Sequence, residues 1–271
     1  MKFGLGLAAA LALTLGGTAE AQAPATPVRL SLGYDGSLYI KVLDIHFDQD
    51  ASPTGFAASA MLRSYGVLAA FKTFNIKASS HGRIADGAPR PGAFLYDNRD
   101  GKRERKVQVA WRDGAVAASA SPPYGNLGQP PASLEQKLDS ADPLTQLMRL
   151  ALAPSPAQVC TGAPRFFDGK QLYALEFDHG QTVALNDAQR ALGLTTAVRC
   201  AATYREIAGF KAKAPNKHEA GLKSRISATF GQFGADGPWA IVRVTASTGL
   251  GPAVIELKHA KISRDAHLNE D

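Results

Sequence analysis

The chain has 271 residues, of which 45% are hydrophobic and 20% are charged, and its formal net charge is +6. This length corresponds to one or two domains with enough apolar side chains to bury a core. The 26 glycines and 16 prolines are near globular averages, which excludes collagen-like and low-complexity classes. Beyond the N-terminus no apolar run approaches the ~18–20 residues of a membrane-spanning helix, so we expect no integral membrane span.

Residues 1–21 have the features of a secretory signal peptide. Met1 and Lys2 form a short positive region, a run of Leu, Ala and Gly follows, and small residues surround a cleavage site after Ala21. The alternative is an uncleaved anchor, for which the apolar run is too short to span a bilayer comfortably. The sequence therefore predicts a cleaved signal peptide and an exported mature chain of residues 22–271.

Export makes the two cysteines, Cys160 and Cys200, informative, because disulfides persist in oxidising compartments. Their pairing would close a loop of about 41 residues, worth roughly 4 kcal/mol in the chain-entropy model. The alternatives are two buried thiols or a metal pair. Without a clustered His or a second Cys pair, two cysteines cannot complete a tetrahedral zinc site. We predict a Cys160–Cys200 disulfide and neither a metal site nor a cofactor.

From Val28 onward the apolar residues mostly alternate with polar ones, which is typical of antiparallel strands with one buried face. The clearest runs are Leu43–Phe47, Val107–Trp111, Leu172–Phe177 and Ile241–Thr245. Asp-Gly pairs mark the turns, and Asp100-Gly101 predicts a hairpin between residues 93–98 and 107–111. The sequence therefore predicts a mainly β protein built on a curved antiparallel sheet.

One amphipathic helix is predicted over Asp142–Leu152. Asp142 can cap its N-terminus, and Pro143 suits the first helical position. A single apolar stripe follows at three- and four-residue spacing, which predicts packing on the sheet. Its members are Leu144, Leu147, Met148, Ala151 and Leu152.

Three further segments are less regular. Ala57–Phe74 and Leu185–Leu194 are rich in Ala and Leu and could carry short helices. The segment 121–141, rich in Pro, Gly and Ser, is either a hinge or a long surface loop within one sheet. Because β proteins of this size are often one domain, the sequence favours a single β-rich domain over residues 22–271.

Positive charge is concentrated in two segments. Arg99–Lys106 contains five basic and two acidic residues, and Arg199–Arg225 contains seven basic and two acidic residues. A basic surface attracts anionic partners, which outside the cytosol would be envelope lipids or glycans. Nucleic acid is excluded as a partner by the export signal and by the absence of a recognition motif. The favoured alternative is that these segments are solvated loops whose lysines discourage edge aggregation.

Residues suited to catalysis are scattered, and no hydrolase elbow, zinc-protease, P-loop or dinucleotide motif is present. Asp44, His46 and Asp48 share one face of a predicted strand, about 7 Å apart at each step, which could begin a metal site or an acid–base pair. An ordinary solvated face is the favoured interpretation. Ser79 and His81 also share a face, without an identifiable orienting acid. We predict no catalytic residues and favour a non-enzymatic role.

Several short motifs carry a family resemblance. In the second half they are Asp142-Pro143-Leu144, Cys160, Phe167-Asp168-Gly169-Lys170, Tyr173, Cys200, Ile207-Ala208-Gly209-Phe210, Thr248-Gly249-Leu250-Gly251-Pro252-Ala253 and Leu257; in the first half they are Tyr34, Gly82-Arg83-Ile84, Pro91 and Tyr96. With these residues the chain resembles an exported bacterial family named only as domain of unknown function 3108. The resemblance implies a periplasmic protein similar to the open β-barrels that carry lipoproteins or lipids across the periplasm. It implies no established activity and no catalytic residues.

Three functional hypotheses follow. The first is a non-enzymatic periplasmic protein of envelope maintenance, which binds a lipid-like ligand on a concave apolar face and an anionic head group at basic rims. The second is a scaffold or interaction protein of envelope assembly, whose barrel interior would be filled. The third is a hydrolase or metal-dependent enzyme, in which the group around His46 would meet His81, His179 or His259 in a pocket.

Overall fold

A computed structural model of the chain describes residues 26–71, 73, 75–100, 104–178, 180–211, 225–248 and 251–264. The predicted signal peptide lies outside these residues, as do His179 and residues 212–224 of the second basic segment.

The described chain consists mostly of strands, as predicted. In chain order they are β1 Val28–Leu38, β2 Ile40–Ala51, β3 Gly55–Ser64, β4 Asn75–Ala85, β5 Ala88–Asn98, β6 Arg105–Arg112, β7 Ala115–Ser121, β8 Arg165–Phe167, β9 Leu172–Phe177, β10 Gln181–Thr182, β11 Leu194–Ala208, β12 Arg225–Phe233, β13 Trp239–Thr248 and β14 Gly251–Ser263. The helices are α1 Gly66–Phe71, α2 Leu134–Leu138, α3 Pro143–Ala151, α4 Pro156–Val159 and α5 Asp187–Ala191.

The strands form one antiparallel sheet in the order β7-β6-β5-β4-β3-β2-β1-β14-β13-β12-β11-β9-β8, and β10 pairs with β11. β1 and β14 pair in the middle of this order, with Arg29 opposite Ser263 and Leu38 opposite Ala253. In the described residues β7 and β8 are the two ends of the order and do not pair with each other, so the sheet is not closed. The segment 121–141, which the sequence leaves as hinge or loop, connects β7 to α3 through α2.

The sheet curves around α3. A helix of nine residues is only about 14 Å long. It nevertheless contacts β5 and β13, which stand six places apart in the sheet and would be roughly 29 Å apart if the sheet were flat. The two strands can reach the same short helix only because the sheet bends, which places α3 on its concave side.

The helix predicted over Asp142–Leu152 is confirmed. Asp142 is its N-cap, accepting hydrogen bonds from the backbone N–H groups of Leu144 and Thr145, and Leu152 is its C-cap. Met148, in the middle of the predicted stripe, is 1% exposed. The inward residues of the flanking strands pack into the same core; they include Leu30, Leu32, Phe94, Val107 and Val109.

The stretch Ala57–Phe74 carries a short helix in its later part only. Within Ala57–Phe74 the structure has β3 up to Ser64, and only the later part is helical, as α1. The alanines favour a helix locally, but β3 lies between β2 and β4, and backbone pairing on both edges outweighs that propensity. In the second segment, Leu185–Leu194, a short helix is present as α5.

The Asp-Gly turns agree with the predictions where the structure describes them. β5 and β6 pair as the Asp100-Gly101 signal predicts, although residues 101–103 themselves lie outside the described part. Asp113 and Gly114 connect β6 to β7 with φ of 44° and 76°. Positive φ at both central residues is typical of the hairpin turns that match strand twist.

Candidate functional site

The main candidate site is a cavity between α3 and the second half of the sheet, which we call the large cavity. Its volume is about 670 Å³, and most of the side chains lining it are apolar. Leu147 and Leu150 are the apolar residues of α3 that line it, and the strand side comes from β8, β9, β11, β12 and β13. The strand residues that line it are Arg165, Phe166, Leu175, Phe177, Ala202, Ile226, Ala228, Phe230, Ile241 and Val244.

Two arginines lie at the large cavity, and both are already engaged. Arg149 donates from Nε to the backbone oxygen of Pro89 at 2.9 Å and from Nη1 to Oε1 of Gln146 at 3.3 Å. Burial lowers the pKa of Arg149, and the nearby positive charge of Arg90 lowers it further. Arg165 forms an ion pair with Asp139. Neither arginine belongs to the basic segments that the sequence analysis singled out.

A second, smaller cavity of about 200 Å³ adjoins the first, and we call it the small cavity. It lies between α3 and strands β1, β2, β3, β13 and β14, and it shares Leu147, Leu150, Ile241 and Val244 with the large cavity. Its polar lining side chains are those of Tyr34, Gln49 and Trp239. Burial raises the pKa of Tyr34.

The disulfide lies behind one wall of the large cavity. Cys160 and Cys200 are bonded, with their Cα atoms 5.7 Å apart, and each residue is 1% exposed. Cys160 follows α4 and Cys200 lies on β11, so the bond joins the helical connection to the sheet. Both pack in a buried cluster with Val159 and Phe230, which also line the large cavity.

A buried polar network fixes the start of α3. The side chain of Asp142 is 0% exposed and accepts hydrogen bonds from the hydroxyl groups of Ser80 and Thr145, in addition to its two capping bonds. Ser80 comes from β4, so the network ties the helix to the first half of the sheet. Burial raises the pKa of Asp142, and the hydrogen bonds from Thr145, Ser80 and Leu144 oppose that shift.

The first basic segment lines a different feature, a cleft of about 960 Å³ that is larger than the large cavity, about as open, and lined by polar and apolar groups in equal share. There Arg105 and Lys170 flank the ring of Tyr124, at 4.3 and 5.1 Å from its centroid. Glu104 and Asp168 line the same cleft, so its charge is mixed. None of the described residues of this segment, 99–100 and 104–106, lines the large cavity, so they do not form the basic rim that the sequence predicts there.

The candidate group Asp44, His46 and Asp48 on β2, for which the sequence favoured an ordinary solvated face, does not line either cavity. His46 Nε2 lies 3.2 Å from Oδ2 of Asp48 and 3.3 Å from Oγ of Ser31, while Asp44 pairs with Lys41. The side chains of Asp44 and His46 are half exposed. Within the described residues no group of three or more His, Cys, Asp or Glu side chains could hold a metal ion.

Ser79, Ser80 and His81 divide between the two faces of β4, as strand geometry requires. Ser80 points inward to Asp142, whereas Ser79 and His81 line a shallow groove on the outer face of β4–β7. The structure therefore gives Ser80 a partner that the sequence did not reveal.

Gln49 and Trp239 are the site residues that sequence reasoning missed. Gln49 continues the inward series of Ile45 and Phe47 on β2, so a polar residue stands where an apolar one is expected. Extending the alternation by one step beyond Phe47 would have found it. Trp239 gave no such signal, because its burial depends on packing against α4 and β11.

Comparison with known proteins gives distant structural similarity only. The chain is similar to a beta-barrel-like protein of domain of unknown function DUF1849 from Brucella abortus, at 13% identity and a TM-score of 0.49, over 89% of this chain and 99% of that chain. It is also similar to a "putative lipoprotein" from Parabacteroides distasonis ATCC 8503, at 9% identity and a TM-score of 0.29, over 89% of this chain and 98% of that chain. None of the family models and none of the curated proteins compared with the chain matches it. In the part that the structure describes, no helix has the length and apolarity to cross a membrane.

Proposed function

We propose that this protein is a non-enzymatic periplasmic carrier that binds the hydrocarbon chain of an envelope lipid in the large cavity. The observation that carries the proposal is the apolar volume of about 670 Å³ between α3 and the sheet. Ligand cavities commonly range over about 300–1,000 Å³ and are lined mainly by apolar side chains. A buried apolar chain would gain roughly 0.8 kcal/mol for each CH₂ group removed from water.

The proposal is favoured over its alternatives by where the side chains point. A scaffold protein has no use for an open interior volume beneath its helix, so the cavity supports the carrier over the scaffold. A hydrolase needs reactive groups that converge on a bound substrate. The His46 group faces outward instead, and Ser80 already hydrogen-bonds to Asp142. The predicted signal peptide and the family resemblance support the periplasmic location.

The charge around the large cavity favours a chain-binding rather than a head-group-binding role. Arg165 is paired with Asp139, and Arg149 donates to Pro89 O and to Gln146, so part of the hydrogen-bonding capacity of both arginines is used within the protein. We therefore propose that the apolar chain supplies the affinity, and we assign no anionic ligand to this cavity.

Filling the large cavity is expected to weaken binding. N-phenyl-1-naphthylamine, an uncharged fluorescent probe of apolar sites, should bind the wild-type protein, and Leu175→Trp should weaken it about tenfold or more because the larger ring occupies part of the binding volume. Leu175 is half-buried and borders open space, so the variant should fold normally. Fluorescence titration measures the affinity, and native mass spectrometry of detergent-free protein tests for co-purified lipid.

Leu95→Trp is the matched control. Leu95 is also a half-buried strand leucine, but it lines the groove on the outer face of β5. The Leu95→Trp variant should bind N-phenyl-1-naphthylamine with wild-type affinity. Equal affinity of Leu175→Trp and Leu95→Trp would contradict the proposal, as would a wild-type protein that neither binds the probe nor carries lipid.

A further inference from the structure

β7 leaves one edge of the sheet open to a further strand. It stands at one end of the strand order, and within the described residues it pairs only with β6. In a strand that is paired on one side, alternate residues direct their backbone N–H and C=O groups away from the partner. Ala117, Ala118 and Ser119 are exposed in succession, so both faces of the strand are open to solvent there. The middle of β7 therefore offers backbone hydrogen-bonding groups to another strand.

β7 lacks the features by which proteins usually block such an edge. Charged side chains, proline and bulges hinder the pairing of a second strand with an edge. Residues 115–121 are only alanine, serine and valine, and β7 pairs residue for residue with β6. The other end of the strand order differs, because β8 has only three residues and Ala141 forms a bridge to its central residue, Phe166. Of the two ends, that of β7 is the one that another strand can extend.

Two exposed leucines lie beside this edge. α2 follows β7 in the chain and contacts it, and its Leu134 and Leu138 are 52% and 44% exposed. The two leucines are four positions apart, so they lie on the same face of the helix. Large apolar side chains that are exposed as a group are typical of protein–protein interaction sites. The open edge and the leucines therefore form one surface, which we call the β7 surface.

The β7 surface is suited to an identical copy of itself. Because residues 115–121 carry no charge, two copies of the strand meet without like-charge repulsion. An antiparallel pair of identical strands has a two-fold axis, so the same edge fills both sides of the contact and the assembly closes as a dimer. Two seven-residue strands supply roughly six to eight backbone hydrogen bonds, within the ~10 ± 5 of a typical protein interface.

We propose that two copies of this chain form a symmetric dimer in which their β7 strands pair in antiparallel orientation and Leu134 and Leu138 of each copy pack against the other. The two sheets then become one continuous sheet. A seven-residue strand and a five-residue helix form a contact at the small end of protein interfaces. We therefore expect a reversible dimer with a dissociation constant in the micromolar range. No residue of β7 or α2 lines the large cavity, so the dimer is independent of the proposed lipid binding.

A charge at the centre of the edge is expected to prevent the dimer. Sedimentation velocity over about 1–200 µM should show wild-type protein changing from monomer to dimer. Ala118→Lys should weaken dimerisation about tenfold or more, because each copy places a charge opposite its equal. Ala57→Lys is the matched control, since Ala57 is an exposed alanine on β3, whose two edges are already paired. The control should dimerise like wild type.

The contribution of α2 is tested separately. Leu134→Ser should weaken dimerisation about fivefold, because its apolar side chain is buried only in the dimer. Ile40→Ser removes a side chain of similar exposure, 56%, from the start of β2 and should leave dimerisation unchanged.

Disulfide cross-linking tests the orientation of the two strands. In an antiparallel pair centred on Ala118, the middle residue of β7, the Cβ atoms of the two copies of this residue are about 5 Å apart. The two copies of Ala115 are then about 20 Å apart along the strands. Ala118→Cys should therefore form an intermolecular disulfide under mild oxidation, whereas Ala115→Cys and Ala57→Cys should not.

The results that overturn the dimer are distinct from those that overturn the carrier. Wild-type protein that remains monomeric at about 200 µM would show that β7 does not pair with a second copy. A dimer that persists in Ala118→Lys, or that cross-links equally through Ala118→Cys and Ala57→Cys, would be formed by another surface. Neither result affects binding of N-phenyl-1-naphthylamine, which tests the carrier function on its own.

Discussion

Replacing Cys160 and Cys200 together by alanine is expected to lower the free energy of unfolding by about 4 kcal/mol. The two residues are 40 positions apart, so their bond restricts a long loop of the unfolded chain. The same bond joins the end of α4 to β11 behind the wall of the large cavity. We therefore also expect weaker binding of N-phenyl-1-naphthylamine, because Val159 and Phe230 lose the constraint that positions them.

Urea denaturation of three samples measures the effect: oxidised wild type, wild type reduced with dithiothreitol, and the double variant. The reduced wild type is the control, since it keeps both side chains and loses only the bond. The reduced wild type should be destabilised nearly as much as the double variant. The remaining difference in free energy should equal the cost of the void that the two missing sulfur atoms leave in the variant. A loss of less than about 1 kcal/mol in both samples would show that the bond does not stabilise the fold.

Local patterns in the sequence predict the elements better than their arrangement. Alternation identifies β2 and β6 because each strand has one buried and one solvated face, and capping by Asp142 identifies α3 because its signals lie within one helical turn. The export signal and the even cysteine count likewise lead to the disulfide that the structure contains.

The errors and omissions have a common physical cause, which is dependence on distant partners. β3 is a strand despite its alanines because β2 and β4 pair with both of its edges. In β9 the alternation suggests one buried face, yet Leu172 and Ala174 are 0% exposed while Leu175 lines the large cavity. The fully buried residues of that strand are thus Leu172 and Ala174, which alternate with the larger apolar ones, and nothing local encodes which face the core covers.

The candidate site was predicted in kind but not in detail. A concave apolar face beneath the helix follows from alternation plus one amphipathic stripe. Which residues line it depends on the curvature that brings β5 and β13 to the same helix, and that curvature is not a local property. The described residues of Arg99–Lys106 do not line the large cavity, because charge in a sequence does not indicate which cavity it will face.

Asp142→Ala is expected to destabilise the fold by about 3 kcal/mol at pH 7.5. The substitution removes the cap of α3, worth about 1 kcal/mol, and leaves the hydroxyl groups of Ser80 and Thr145 without their carboxylate partner in a site that is closed to water. Asp142→Asn should retain most of the stability, because its oxygen can still accept from the backbone of Leu144 and Thr145 and its amide can donate to a hydroxyl group.

Because the pKa of Asp142 is raised, the difference in stability between wild type and Asp142→Asn depends on pH, and its sign can be derived. Because burial raises the pKa in the folded state, folding favours the protonated carboxyl group. The stabilisation linked to this protonated carboxyl group is fully present at a pH below the unfolded-state pKa of about 4. It is lost as the pH rises through the folded-state pKa. The stability of wild type relative to Asp142→Asn should therefore increase on acidification and fall towards neutral pH, since Asn does not titrate.

Urea denaturation of wild type and Asp142→Asn at several pH values tests this pH dependence of stability. The series runs from about 4, the pKa of Asp in the unfolded chain, to about 7.5. Asp113→Asn is the control, because Asp113 is exposed in the β6–β7 turn and its φ of 44° is one that Asn tolerates. A parallel pH dependence of wild type and Asp142→Asn would mean that folding does not shift the pKa of the Asp142 carboxyl group. Equal stability of the Ala and Asn variants at pH 7.5 would instead mean that the hydrogen bonds at this position do not hold α3 to the sheet.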